Sequence, residues 1–386
     1  MTRLLARISR HTRAQSVSAI FEYDYAASLD APAFVHLQFI SWIDGVGDWR
    51  AARCVTLRVA TTSSAVAYAR AVHAPTASLL AARLLVVEAL REEARRPGTS
   101  ASWLRRRCDA RVEKRVASVA EAFDAGGAFP EPLVAFAEAM YHLRRGPMFG
   151  RGFGHDDEKT AARLAFLRAS HEVACRSLVP AVYAWKGVSG TDPGTESDRE
   201  AEDEARFATL PASDLALAPR AAIVVDHGAF GAFGWIARDV GVAPGEAGRD
   251  AAAAAATREA AIEAVASLAT RLARGARSGS RSGSGSGSDA AGGSTVGDSM
   301  AAFPAFPSLV ATEGSSAARR AACRLAPAHR DAPHEQDARF PPVRGTSLEA
   351  RRAFAARALP TEEQTFFQWM RGLGVDAPVT PWAPWR

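Results

Sequence analysis

The sequence predicts an α+β chain of several domains, and three changes of pattern predict it. Period-two alternation dominates near the start, apolar steps of three and four dominate the middle, and mixed α/β segments follow from about residue 178. At 386 residues, 48% hydrophobic and 23% charged, the chain has globular composition and length for more than one buried core.

The first pattern covers residues 16 to 61. Val17, Ala19, Phe21, Tyr23 and Tyr25 alternate with polar Ser18, Glu22 and Asp24, as in a half-buried strand. Runs at 34–43 and 53–60 flank the turn-rich DGVGD at 44–48, which reads as a hairpin with a Gly-containing loop. Three strands cannot close a sandwich, so this antiparallel sheet needs partners elsewhere.

Residues 62 to 175 read as helical. Leu80, Leu84, Val87 and Arg91 carry one helix that begins near Pro75 and ends before Pro97-Gly98. Leu104, Cys108, Val112, Val116, Val119 and Phe123 carry the next, capped by Ser100 or Ser102. Its other face, with Arg105, Arg106, Arg107, Arg111, Lys114 and Arg115, reads as solvated. Leu133, Phe136, Met140 and Leu143 form a third stripe, stopped by Gly146-Pro147. Beyond these, 178–185 and 221–228 look like buried strands and 361–373 like a closing amphipathic helix. Thr191 to Arg206 reads as an acidic solvated loop, and Gly275 to Ser299, a Gly/Ser repeat, as flexible.

Composition narrows function by exclusion. The net charge is +5, but the arginines are scattered and sit beside acids, which argues against nucleic-acid binding; only Lys114, Lys159 and Lys186 are lysines. No apolar run approaches the roughly 20 residues of a membrane-spanning helix. Cys54, Cys108, Cys175 and Cys323 lie far apart with no C-x-x-C pair, which excludes a disulfide framework or zinc ribbon and fits a reducing compartment. Gly146, Gly150, Gly152 and Gly154 follow a helix and lack G-K-[ST], so they read as a mobile loop rather than a phosphate cradle. His155, Asp156, Asp157 and Glu158 read as a solvated loop rather than metal ligands. His227 beside Asp226 has no nucleophile motif with it.

An ordered set of motifs goes further. IFEYDYAAS and FVHLQF within 20–39, LLAARLLVVEA at 79–89 and SWLRRRCDARVEK at 102–114 come first. FAEAMYHLRRGPMF at 136–149, with its H-L-R-R helix end, is the most specific. LVPAVYAW at 178–185, VVDHGAFGAFGW at 224–235, FPSLVATEGSSAARRAACRL at 306–325 and TEEQTFFQWMRGL at 361–373 follow in order. The set, spanning about 20 to 373, resembles the C-terminal half of the Sec-twenty-three family, the GTPase-activating subunit of the inner COPII vesicle coat.

The resemblance implies a partial β-sandwich at 16–61, a helical domain at 62–175, a gelsolin-like domain at 176–375 and a tail at 376–386. Gly275–Ser299 then becomes an insertion, since motifs of one domain lie on both sides and long loops cost little closure entropy. It also implies an arginine finger for a Sar-type small GTPase. The family's finger loop corresponds to GSSAARR, which places the finger at Arg319, with Arg320 the alternative one residue on. Gly314, Ser315, Ser316 and Arg320 would form the GTPase-contacting loop, with Arg320 where the family has an aromatic and with the family's Gln missing.

The family's zinc finger and trunk domain find no match, so no cofactor or metal is expected. Further expected partners are the cargo-adaptor and outer-coat subunits and, peripherally, the endoplasmic reticulum membrane, with no nucleic acid; the location is cytoplasmic, at exit sites and COPII vesicles. The alternative is a truncated or divergent coat-interaction module without activating activity. Residues 1–15, with four arginines and no acid, resemble an organelle transit peptide, and a partial gene product starting within the sandwich is the competing reading.

Overall fold

A computed structural model describes residues 34–44, 50–98, 100–123, 127–150, 155–187, 206–242, 251–278, 308–343, 346–359 and 361–384. The expected strand at 17–25, the acidic run up to residue 205, Gly152, Gly154 and 279–299 of the Gly/Ser stretch lie outside them. The chain divides into two compact units between His73 and Ala74. Both helix and strand are well represented, as an α+β chain requires.

The first unit contains an antiparallel hairpin, β1 (Phe34–Asp44) and β2 (Arg50–Ala60), and a short helix, α1 (Ala65–Ala71). Its register runs unbroken from Phe34 opposite Ala60 to Asp44 opposite Arg50, so the expected hairpin is present with longer strands. Gln38 donates to Thr56 across the ladder (3.3 Å) and the Arg58 guanidinium lies 3.5 Å from the centre of the Phe34 ring. Phe39, Ile40, Val55, Leu57 and Val59 are exposed.

The second unit begins with five helices: α2 (Ala74–Arg95), α3 (Ala101–Ala122), α4 (Val134–Arg145), α5 (Asp156–Arg168) and α6 (His171–Leu178). α3 and α4 bury the expected stripes, including Leu104, Cys108, Val112 and Val116 on one and Phe136, Met140 and Leu143 on the other. The cationic face of α3 is partly paired, since Arg111 bridges Glu88 and Glu92 of α2. α2 corrects the sequence reading: it buries Leu79, Ala82, Leu85, Val86 and Ala89, while Leu84 is exposed. The run LLAARLLVV is apolar on more than one face, so periodicity leaves its phase open; small Ala82 and Ala89 permit close approach of neighbouring helices.

Two further readings change. Gly146 to Gly150 is a buried turn closed by Gly150 N–H donating to Gly146 O (2.7 Å), not a mobile loop. A Cβ at Gly150 would fall 2.0 Å from Arg145 O, so glycine is there for close packing. His155 caps α5 and Asp156, Asp157 and Glu158 form its first turn, where carboxylates complement the helix dipole rather than sit in a loop.

The sheet has the order β4-β3-β5-β6-β7, with β3 (Ala181–Trp185), β4 (Phe207–Leu210), β5 (Ala222–Asp226), β6 (Ala232–Ile236) and β7 (Leu309–Thr312). All neighbours are antiparallel except β6 and β7, which run parallel. Parallel pairing requires a crossover, supplied by α7 (Ala251–Ser278), whose Ala261, Val265, Leu268 and Ala269 are buried in the sheet core. The helix runs to Ser278, so the first four residues of the expected flexible insertion are helical.

Pleating decides what each face accepts. A Cβ at Gly234 would fall 2.5 Å from Val265 of α7, whereas the next residue, Trp235, packs edge-on against Phe354 at 5.9 Å. Phe354 lies in α10 (Leu348–Ala358), preceded by α8 (Ser316–Ala322) and α9 (Pro333–Arg339). The closing helix α11 (Phe366–Gly372) starts only at Phe366, because Thr365 and Gln368 form a capping box; residues 361–364 are not helical. The four cysteines are free, and among the described residues no single helix is long and apolar enough to cross a membrane.

Helices and sheet join at the β5–β6 turn. Gly228 there has φ +56°, and a Cβ would fall 2.3 Å from Val173 O of α6. Ser177 of α6 donates to Val173 O (2.7 Å) and accepts from Ala229 N (2.8 Å), while Arg176 pairs with buried Asp226 at 3.0 Å. Gly228→Ala therefore destabilises by more than about 2 kcal/mol in denaturant unfolding, through positive φ and a backbone clash together. Gly98→Ala, at φ +82° with nothing within 4 Å, isolates the backbone cost and loses only about 1 kcal/mol.

Candidate functional site

The residues expected to carry the chemistry form a strand–turn–helix rather than a free loop. β7 ends at Thr312, Gly314 turns the chain at φ +83°, and α8 starts at Ser316. Ser315 holds both sides: its hydroxyl donates to Thr312 O (2.7 Å) and accepts from Ala318 N (3.2 Å). Arg238 clamps the turn from β6's end, with its backbone N–H on Glu313 Oε2 (3.0 Å) and its Nε on Glu313 O (3.3 Å). The positive φ is what calls for glycine at Gly314; a Cβ there would also displace the flexible Arg238 side chain, its guanidinium 2.2 Å away.

The helix is divided by its contacts. Ala318, Ala321 and Ala322 are buried in the sheet core, while Gly314, Ser315, Ser316, Arg319 and Arg320 are exposed. Among the described residues neither the Arg319 nor the Arg320 guanidinium has a hydrogen bond or ion pair. Nearby Arg324 is half-buried instead, with its guanidinium 3.6 Å from the Phe233 ring centre, and desolvation lowers its pKa to about 10. The arrangement offers two free guanidinium groups on a helix fixed to the sheet.

Behind it lies a network of charges around buried Arg145 that sequence reasoning missed. Arg145, the last residue of H-L-R-R, grips Glu363 with two hydrogen bonds, Nε to Oε1 (3.2 Å) and Nη2 to Oε2 (2.8 Å). The same Nη2 donates to Leu325 O (2.9 Å), three residues beyond the end of α8. Burial opposes its charge, but Tyr141 and Glu363 hold its pKa above the ordinary arginine value. Tyr141 donates to Gln364 O (2.6 Å), and Arg330 donates to Thr361 O and Glu363 O (3.2 and 2.8 Å). Arg144 lies 3.9 Å from Asp109 of α3, with its guanidinium 5.7 Å from the Trp369 ring. H-L-R-R is thus a structural joint.

Other titratable groups are held for structure too. Burial pushes His142 down to about 3 and His227 well below its ordinary value, so both rings are neutral at pH 7. Asp214 is buried on His329, accepting from its backbone N–H (3.0 Å) and bonding its ring Nδ1. Asp226 accepts from Gly228 N (2.9 Å) rather than orienting His227 for catalysis. Among the described residues no three His, Cys, Asp or Glu side chains converge as a metal site, and His155 to Glu158 are all exposed at the start of α5.

No protein-family model matches the chain. The chain is 28% identical over 352 residues to "Protein transport protein SEC23 A" of Arabidopsis thaliana. It resembles part of a Sec-twenty-three protein. The match covers 89% of this chain and 32% of the relative, so the chain spans about a third of that relative's length. The family resemblance carried by the ordered motifs is borne out.

Two measurements test the network. Glu363→Ala leaves Arg145 buried without its carboxylate and costs about 2–4 kcal/mol in denaturant unfolding. Adding Arg145→Met costs less than the sum of the two single changes, because the stranded charge is gone. Burial also raises the Asp331 carboxyl from 3.8 to about 7, with Glu335 and Asp214 adding like charge. The folded chain therefore binds a proton the unfolded chain has released: this group's stability is present below pH 4 and lost as pH rises through 7. Asp331→Asn flattens the stability profile between pH 4 and 8 by about 3 kcal/mol, measured against wild type.

Proposed function

We propose that the chain serves in the COPII coat during transport from the endoplasmic reticulum to the Golgi, and that it stimulates GTP hydrolysis by a Sar-type small GTPase through Arg319. The observation that carries this reading is the similarity to a protein transport protein along 89% of the chain, with Arg319 exposed on α8 and its guanidinium unpaired among the described residues. A GTPase needs charge neutralised as its γ-phosphoryl leaves, and a planar guanidinium donates to two oxygens at once. An arginine on a helix has its backbone held before it binds, so only side-chain freedom is lost on insertion. The chain would supply that group in trans and would not be an autonomous enzyme.

The same proposal gives the chain cargo-adaptor and outer-coat subunits as partners. Its place is cytoplasmic, peripheral to the endoplasmic reticulum at exit sites and vesicles, with no nucleic acid and no cofactor. It keeps the division into a β-sandwich piece at 16–61, a helical domain at 62–175, a gelsolin-like domain at 176–375 and a tail at 376–386. A second reading, an interaction module without activating activity, is favoured by Arg320 standing where the family has an aromatic and by the missing Gln.

Single-turnover GTP hydrolysis by the Sar-type GTPase separates them. The intact chain accelerates the reaction, Arg319→Ala loses about 10³-fold of that acceleration, and Arg320→Ala loses less than tenfold. A folded wild-type chain that binds the GTPase without acceleration establishes the second reading. A loss confined to Arg320→Ala moves the finger by one residue.

A further inference from the structure

Helices α2 and α3 share one cationic surface. Arg111 of α3 bridges Glu88 (3.4 Å) and Glu92 (3.1 Å) of α2, and Arg107 lies 3.7 Å from the same Glu92, so the facing flanks of the two helices are joined. Neighbouring acids are engaged too: Glu93 pairs with Arg163, and Asp109 and Glu113 face Arg144 at 3.9 and 4.0 Å. Cations are left over. Arg91 and Arg95 of α2 and Arg106, Lys114 and Arg115 of α3 are exposed, and among the described residues none of their side chains has a hydrogen bond or ion pair. Arg91 and Arg95, like Arg107, Arg111 and Arg115, stand four residues apart, a spacing at which like charges on a helix repel. Stability alone does not select that pattern.

We propose that this surface docks an acidic helix of another protein, laid along α3 with its carboxylates four residues apart. Arg106, Ala110 and Lys114 form an exposed row at that spacing, about 6 Å per step, and carboxylates repeating every four residues keep pace with it. Ala110 is small, so a second backbone approaches closely between the two cations. Leu84, which is 42% exposed, shares a stripe of α2 with Arg91 and Arg95 by spacing and offers an apolar contact beside them. The charge pattern selects the occupant. A nucleic acid or an anionic membrane presents a uniform negative field, which Glu88 and Glu92 repel from between the cations of α2 and those of α3. A helix places its carboxylates over the cations and neutral residues over the glutamates.

Binding of labelled peptides to the intact chain, read by fluorescence anisotropy at about 50 mM salt, tests this. An alanine-based helix with glutamate at every fourth position binds about tenfold more tightly than a peptide of the same composition with its glutamates in one block. Arg106→Glu combined with Lys114→Glu weakens that binding about tenfold, while Arg274→Glu, on an exposed residue of α7, leaves it unchanged. Circular dichroism checks that the variants are folded. Equal affinities for the two peptides, or no binding of the patterned one, overturn the proposal without reference to any variant. Unchanged binding in the folded double variant overturns the placement on α3. Phosphatidylserine vesicles and a DNA duplex serve as uniform polyanions. Tighter binding of either, lost in the same double variant, assigns the surface to that partner and overturns the acidic helix.

Discussion

A buried cation, Arg145, ties together three segments of the second unit. Arg145 sits at the end of α4 with its guanidinium out of water, and it is compensated by Glu363 and the Leu325 carbonyl. Taking a guanidinium out of water is costly, and only geometry of this quality offsets it. The consequence reaches beyond stability, because the three partners come from distant parts of the sequence. Arg145 ties the helical bundle to the segment before α11 and to the chain leaving α8. An apolar contact could bury as much surface, but it would not fix register between three segments as directional hydrogen bonds do.

That joint gives the H-L-R-R motif a physical reason. Leu143 fills the core, His142 is half-buried and neutral, Arg144 reaches toward α3 and the Trp369 ring, and Arg145 pins the joint. None of the four is free to meet a ligand as a charged group. By contrast, among the described residues the Arg319 and Arg320 guanidinium groups have no hydrogen bond or ion pair, and they stand on a helix whose other face is alanine packed on the sheet. Arg145 is spent on position, whereas Arg319 and Arg320 are exposed. The proposed role of Arg319 rests on that division between a fixed base and a free tip.

Much of this was legible in the sequence where a pattern has one physical solution. The hairpin, the α3 and α4 stripes and the β5 strand follow from periodicity, because each has one apolar face or none that is polar. The phase of α2 was not legible, since LLAARLLVV presents apolar residues to several sides and only packing chooses. The buried turn at Gly146–Gly150 was misread as mobile because glycines signal freedom and close approach alike. The helix around Arg319 was read as a loop, although Ser315 followed by three residues to Ala318 is the spacing of an N-cap. The charged network was hidden for a different reason. Arg145 and Glu363, or Asp214 and His329, lie far apart in sequence, and single-sequence patterns carry no signal for such pairs.

The claim that α4, the exit from α8 and the entry to α11 form one block rests on Arg145, and native-state hydrogen exchange addresses it most directly. In Glu363→Ala the account predicts that amides of 141–145, 323–330 and 365–370 lose protection together and by similar factors, because they open as one unit. Loss confined to the residues beside position 363, with α8 and its exit unchanged, would contradict it.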